Sequence, residues 1–322
     1  MTPDDDRSRW WQRLGRRRDD AASIGLRPRR TLYQRLHGYA YLRWPYGYIG
    51  AAIGERRGDG WRRLLFAPFL WRALFPERWA EEYHGKVVST GEAGRLLTVR
   101  EDIAVTLPEQ VIPHATARDL LLRHTQPIVA LDCPCRLARE HPCLPLDVCL
   151  IVGEPFARLA LQHQPDHARA ITADEALQIL DAEAARGHVH HAFFKEALYG
   201  RFYAICNCCS CCCGAISAQR HGTPMVISSG YVAARNADLC SDCGACAAAC
   251  PFDAIDLERD SVVDVGRCMG CGVCVSRCPT GALELVRDHA RGEPLEVDSL
   301  VGLGAGRGDG LRGAEAQVSG VL

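Results

Sequence analysis

Between residues 111 and 222 the chain alternates short apolar blocks with signals for helix ends. Ile128-Val129-Ala130-Leu131 is a continuous apolar run behind Pro127, and residues 148–152 form another that ends at Gly153-Glu154-Pro155. Such short blocks, closed by turn residues, predict buried strands. Phe202-Tyr203-Ala204-Ile205 predicts a third. Between them Thr172 and Glu175 form a capping box, which predicts a helix running to Arg186 and stopped by Gly187. Thr116, with Asp119 three positions on and leucines at 120–122, predicts a further helix that Pro127 ends. The order strand, helix, strand points to a small α/β unit over 111–222. Toward the C-terminus, short strands are expected at 254–257 and 282–286, each behind a short helical piece. The whole chain then reads as α+β.

The two ends of the chain differ from this middle. Residues 1–30 are rich in Arg and Asp and read as a loose arm. Residues 31–110 form an aromatic, Arg-rich, helical region, with Pro68 dividing the stretch 61–76 into short pieces. Residues 296–322 are Gly-rich and read as a flexible tail; the Gly302–Gly308 stretch follows no buried strand and is no phosphate loop. Residues 1–80 hold 17 Arg, no Lys and 8 acidic groups, a balance of +9, while the whole chain is −1. All six Trp lie there too. A basic, aromatic front joined to an acidic body is suited to docking. The front is too charged to span a bilayer, so its aromatics either cover the next domain, the favoured reading, or contact a membrane surface peripherally. No nucleic-acid module accompanies the arginines, and no nucleic-acid partner is expected. The start of the chain lacks an apolar leader, which points to a cytoplasmic, reduced protein whose 18 cysteines serve metal rather than disulfides.

Eight of those cysteines carry the clearest pattern. They read Cys240-x2-Cys243-x2-Cys246-x3-Cys250-Pro251 and, 28 residues later, Cys268-x2-Cys271-x2-Cys274-x3-Cys278-Pro279. The spacing fits [4Fe–4S] ligation; a double zinc ribbon would need Cys-x2-Cys pairs set further apart. Gly244, Gly270 and Gly272 suit loops that turn backbone N–H groups inward. On these residues the segment 229–287 resembles the bacterial two-[4Fe–4S] ferredoxin. The resemblance covers less than a fifth of the chain and implies a pseudo-symmetric fold and low-potential one-electron transfer. It also implies crossed ligand sets: Cys240, Cys243, Cys246 and Cys278 for one cluster, and Cys268, Cys271, Cys274 and Cys250 for the other. The wider pattern is similar to larger ferredoxin-like proteins with a Cys-Pro-Cys-Arg element, here 133–136, and a Cys-Asn-Cys-Cys-x-Cys-Cys-Cys element, here 206–213.

Ten cysteines lie outside that segment: Cys133, Cys135, Cys143, Cys149, Cys206, Cys208, Cys209, Cys211, Cys212 and Cys213. Buried free Cys usually occurs singly, so six within eight positions point to a further metal site, most simply another iron–sulfur cluster. Adjacent side chains diverge, so the ten cannot all serve one centre. Cys212-Cys213-Gly214 resembles part of the cysteine-rich module of heterodisulfide reductase subunits, without the rest of its spacing. Gly187-His188-Val189-His190-His191 reads as a polar loop end, with metal ligation as the alternative. Arg136 suits either a cluster sulfur or anionic ligand, or an ion pair with Asp132 or Glu140. The favoured function is single-electron transfer between redox partner proteins. The alternatives are a reductase that binds substrate at the extra cluster, helped by His190 or Arg136, and a redox or metal sensor with a docking front end. No catalytic residue is assigned.

Overall fold

The computed structural model describes residues 32–53, 76–123, 127–258 and 262–300. Its centre is a nine-stranded sheet: β1 (Tyr83–Val87), β2 (Ile103–Thr106), β3 (Asp119–Leu122), β4 (Ile128–Leu131), β5 (Cys149–Val152), β6 (Ala168–Ile171), β7 (Val189–Lys195), β8 (Arg201–Cys208) and β9 (Val226–Ile227). The order is β6-β4-β5-β8-β7-β1-β9, with β3 beside β8 and β2 beside β3 off that path. The strands expected at 128–131, 148–152 and 202–205 are there as β4, β5 and the centre of β8. These strands of the α/β unit expected over 111–222 join one sheet with strands from outside it. Only the β1–β9 and β3–β8 pairs are parallel, and β1, β2 and β9 lie outside that segment. Short links explain this. β7 and β8 are joined by a tight turn with Tyr199 and Gly200 at positive φ, and so short a link permits only antiparallel pairing.

Helices cover both faces. One face carries α1 (Leu32–Arg43), α2 (Pro45–Ile53), α6 (Phe156–His163) and α8 (Gly214–Arg220). The other carries α4 (Thr90–Leu97) and α7 (Ala173–Ala185). The remaining helices are α3 (Pro76–Glu82), α5 (Pro134–Leu137), α9 (Ala245–Ala249) and α10 (Val273–Arg277). β7 shows how the period of two splits the interior. Val189 and Phe193 enter the first core with Tyr41, Tyr48, Phe156 and Tyr203. Ala192 and Phe194 enter the second with Leu96, Leu97, Leu180 and Phe202. Helix α7 begins where the capping box places it, since Thr172 Oγ1 accepts from the Glu175 N–H, and Gly187 follows it at φ 83°.

Three expectations are corrected. Residues 119–122 form β3 rather than a helix. Thr116 Oγ1 donates to Glu81 O, Leu120 and Leu122 alternate into the second core, and pairing with β2 overrides the helical tendency of leucine. The strand expected at 254–257 shrinks to one bridge between Ile255 and Val263. The tail expected from 296 starts inside the molecule. Leu295, Val297 and Leu300 are buried in the second core, and the Val297 N–H donates to Glu92. The arm at 1–30, the stretch 61–76 apart from Pro76, and residues 301–322 lie outside the described residues. Within α1 and α2, Tyr41 and Tyr48 do cover the sheet, whereas Trp44 is exposed. No described helix is long and apolar enough to cross a membrane.

A smaller unit follows, in which β10 (Tyr231–Arg235) pairs antiparallel with β11 (Leu283–Arg287) beside α9 and α10. It docks on the first face of the sheet. Phe252, Met269 and Val273 join the first core, Arg277 donates to Ala185 O, and Arg220 pairs with Asp253 at 3.2 Å.

Candidate functional site

The C-terminal unit repeats itself at an offset of 28 residues in backbone as well as in sequence. Gly244 and Gly272, at φ 77° and 78°, precede α9 and α10. Asp242 matches Gly270, and Asp253 matches Gly281, all at positive φ. The Ala254 N–H donates to Cys250 Sγ at 3.3 Å and the Ala282 N–H to Cys278 Sγ at 3.2 Å. Such N–H groups favour thiolate over thiol. Gly270 leaves no room for a β-carbon, because the backbone of Tyr231 and the Ser229 hydroxyl lie against it.

Two small cavities result. One, of about 20 Å³, is lined by Cys240, Cys243, Cys246 and Cys278. The other, of about 10 Å³, is lined by Cys250, Cys268, Cys271 and Cys274. These are the crossed sets. The first lies near the surface, with Cys243 exposed and Asp238, Asp242 and Glu284 exposed around it. The second is inside: burial pushes Cys274 up to about 12 and raises Cys271 further. Thiols this reluctant to ionise in an apolar pocket become thiolates when a bound cation compensates the charge. Donor type, spacing and N–H···S bonds all fit an iron–sulfur cube.

Six further cysteines meet in a chamber of about 380 Å³ on the first face of the sheet: Cys133, Cys135, Cys149, Cys206, Cys208 and Cys213. β5 and β8 set Cys149 opposite Cys206, and Cys208 follows on the same side of β8. Cys133 precedes α5, Cys135 lies within it, and Cys213 precedes α8. The N–H groups of Arg136, Gly214 and Ile216 point at the sulfurs of Cys133, Cys135 and Cys213. The thiol of Cys135 pushes Cys133 up to about 12, and the thiols of Cys133 and Cys206, with burial, hold Cys149 well above the usual range. Cys250 and Cys271 of the inner crossed set, with Met269, pack on the same apolar core as Cys133 and Cys213.

Of the remaining four cysteines, Cys209 also lines the chamber, whereas Cys143, Cys211 and Cys212 do not. Cys143, Cys209 and Cys211 have donor atoms all within 4.8 Å of one another, and Cys212 Sγ is 3.5 Å from Cys211 Sγ.

Arg136 and the histidines take places the sequence did not foretell. Arg136 is fully buried and pairs with Glu183 at 2.6 Å, not with Asp132 or Glu140; it also donates to Pro145 O and Asn207 O. Only His188 lies at a polar loop end; His190 and His191 fall in β7. His188 bonds Glu183, while His190, in β7, bonds Asn207 and Thr90 away from the chamber. His191 pairs in register with Cys206 and is fully buried, and neither ring nitrogen has a partner among the described residues.

Lys195 was not singled out by sequence either. The chain has only two lysines, Lys86 and Lys195, against 36 arginines, and both are buried. Lys86 donates to Glu293 O at 2.7 Å. Lys195 lines the chamber, with its ammonium 4.4 Å from the ring centres of Tyr41 and Tyr83 and 5.3 Å from that of Tyr48. Burial lowers its pKa to about 7. The scarcity of lysine was the available signal.

A family model for a 4Fe-4S dicluster domain matches residues 239–282. No curated protein and no solved structure matches the chain. The molecule is an iron–sulfur protein of mixed α and β structure, and its ferredoxin-like segment holds at least one [4Fe–4S] cluster.

Proposed function

We propose that this chain transfers single electrons between redox partner proteins, using two [4Fe–4S] clusters and a third iron–sulfur cluster in the six-cysteine chamber. The bound clusters supply reversible one-electron chemistry. Cys240, Cys243, Cys246 and Cys278 hold the outer cube, within reach of a partner that approaches the exposed acids around them. Cys268, Cys271, Cys274 and Cys250 hold the inner one. The observation that carries this reading is the apolar core shared by the inner set and the chamber cysteines, which keeps water out between them. Lys195, held against the rings of Tyr41, Tyr48 and Tyr83, lines the same chamber, and its ammonium form favours the reduced, more negative state. The test is Cys208→Ser in anaerobically prepared protein. It should remove one set of cluster signals and leave those of the ferredoxin-like segment unchanged. Loss of both sets, or of neither, contradicts the assignment.

The size of the chamber favours a second reading. At about 380 Å³, against 10 and 20 Å³ for the two crossed sets, it leaves space beyond a cube. In that reading a small anionic substrate lies against Lys195 beside the cluster, and the protein is a reductase. Arg136 also lines the chamber, with its Nη groups tied to Glu183, Pro145 O and Asn207 O, while His190 bonds Asn207 and Thr90.

A further inference from the structure

The ten cysteines outside the ferredoxin-like segment divide by sulfur spacing, and the division identifies the kind of centre each group can hold. In a cube every thiolate binds its own iron, so the sulfurs stand well apart. Around a single ion all four sulfurs share one metal. With a metal–sulfur bond of about 2.3 Å, the edge of the tetrahedron is about 3.8 Å. The chain provides its own calibration. No three cysteines of either crossed set have donor atoms all within 4.8 Å of one another, and no three of the six chamber cysteines do. Cys143, Cys209 and Cys211 do, and Cys212 adds a sulfur 3.5 Å from Cys211.

The geometry points to a separate mononuclear centre, a single zinc ion held by the thiolates of Cys143, Cys209, Cys211 and Cys212. The donors are all sulfur: those of Cys143, Cys209 and Cys211 lie within 4.8 Å of one another, and Cys212, outside that group, adjoins it through Cys211 at 3.5 Å. An all-sulfur set selects a thiophilic ion. Among common divalent metals zinc binds such sites more tightly than iron or manganese. The surroundings support it. Cys143 lies in the loop 138–148, which joins α5 to β5 with no strand or helix of its own. Its sulfur faces those of Cys209 and Cys211, with one weak further contact, 4.0 Å from Leu144 O. Arg139 draws the same loop toward the second one, donating from Nε and Nη2 to Cys212 O at 3.3 Å each. The ion would thus cross-link the loop after Cys133 and Cys135 to the loop between Cys208 and Cys213. Both loops position chamber cysteines, and of the four zinc ligands only Cys209 also lines the chamber. The role is structural: it fixes the rim of the redox site without entering the electron path.

This inference stands whether or not the chamber holds a cluster. The test is metal analysis of the full-length protein and of a Cys143→Ser/Cys211→Ser variant, both prepared anaerobically with zinc in the growth medium. The expected result is one zinc per chain in the wild type and none in the variant, with iron and sulfide equal in both. Loss of about four irons with their sulfide from the variant would make the site a cube and overturn the proposal, as would a wild type without zinc. If the variant fails to accumulate, X-ray absorption at the zinc edge of the wild type decides. Four sulfur neighbours at about 2.3 Å support the site. A shell of nitrogen and oxygen, the mark of adventitious zinc, overturns it.

Discussion

The ferredoxin-like unit and the sheet unit both gather cysteines, but against different interiors. In the former, the buried cluster contains nine side chains, and two of these are cysteines of the inner set. In the latter, two apolar cores pack against opposite faces of a nine-stranded sheet, and the cysteines occupy one margin of the first. Small units rarely bury enough apolar surface to be stable without metal or disulfide. The larger unit has its core regardless. Metal is therefore part of the folding free energy in one region and a guest in the other.

The largest expected effect breaks the molecule along that line. Stripping iron with a chelator under reducing conditions should unfold residues 231–287 while β7 and β8 remain folded. Hydrogen exchange resolved by segment would show fast exchange in the first and retained protection in the second. Equal loss in both regions would erase the distinction.

Next comes Arg136→Met. The Arg136–Glu183 pair is buried on both sides, at 0% and 1% exposure, so removing the cation leaves a buried carboxylate held only by His188 and the more exposed Arg186. That should cost the sheet unit about 3–5 kcal/mol. It should show as a lower urea midpoint for the sheet, with unchanged signals from the ferredoxin-like segment.

Gly270→Ala should act on the other side. The residue sits at φ 63° against the Tyr231 backbone, so a methyl group is strained and also collides. A loss of about 2 kcal/mol or more, confined to the C-terminal unit, is expected. Its readout is depletion of iron from the inner set while the sheet keeps its thermal transition.

The smallest effect is acid sensitivity of the sheet. Burial, with His114 beside it, holds His84 down to about 3, against 6.5 when unfolded. Between those values the unfolded state binds more protons. Stability therefore falls as pH drops from about 6.5 toward 3, by up to about 1.4 kcal/mol per pH unit. Comparing urea midpoints at pH 7 and 5.5 for wild type and His84→Phe checks this, and the variant should show the shallower dependence.

What the sequence made legible follows the same division. The C-terminal site is local: its eight cysteines repeat at an offset of 28 residues, which marks the site, and the resemblance that this spacing carries implies the crossed sets. The chamber is not local. Cys149 meets Cys206 only because β5 pairs with β8, and nothing in the sequence states that register. His190 and His191 face opposite sides because they lie in a strand, which the reading as a loop end concealed. The leucines at 120–122 suit helix or strand equally until β2 supplies a partner. Lys195 left a trace only in the rarity of its residue type.

The most direct test is an anaerobic iron and sulfide count combined with alkylation of accessible thiols. Two cubes account for about eight irons, and a third cluster of cubane size raises the total to about twelve. The expected result is the higher count, with Cys133, Cys135, Cys149, Cys206, Cys208 and Cys213 protected from alkylation until iron is removed. Eight irons or fewer, with those six thiols freely modified in the folded protein, would contradict a redox centre in the chamber.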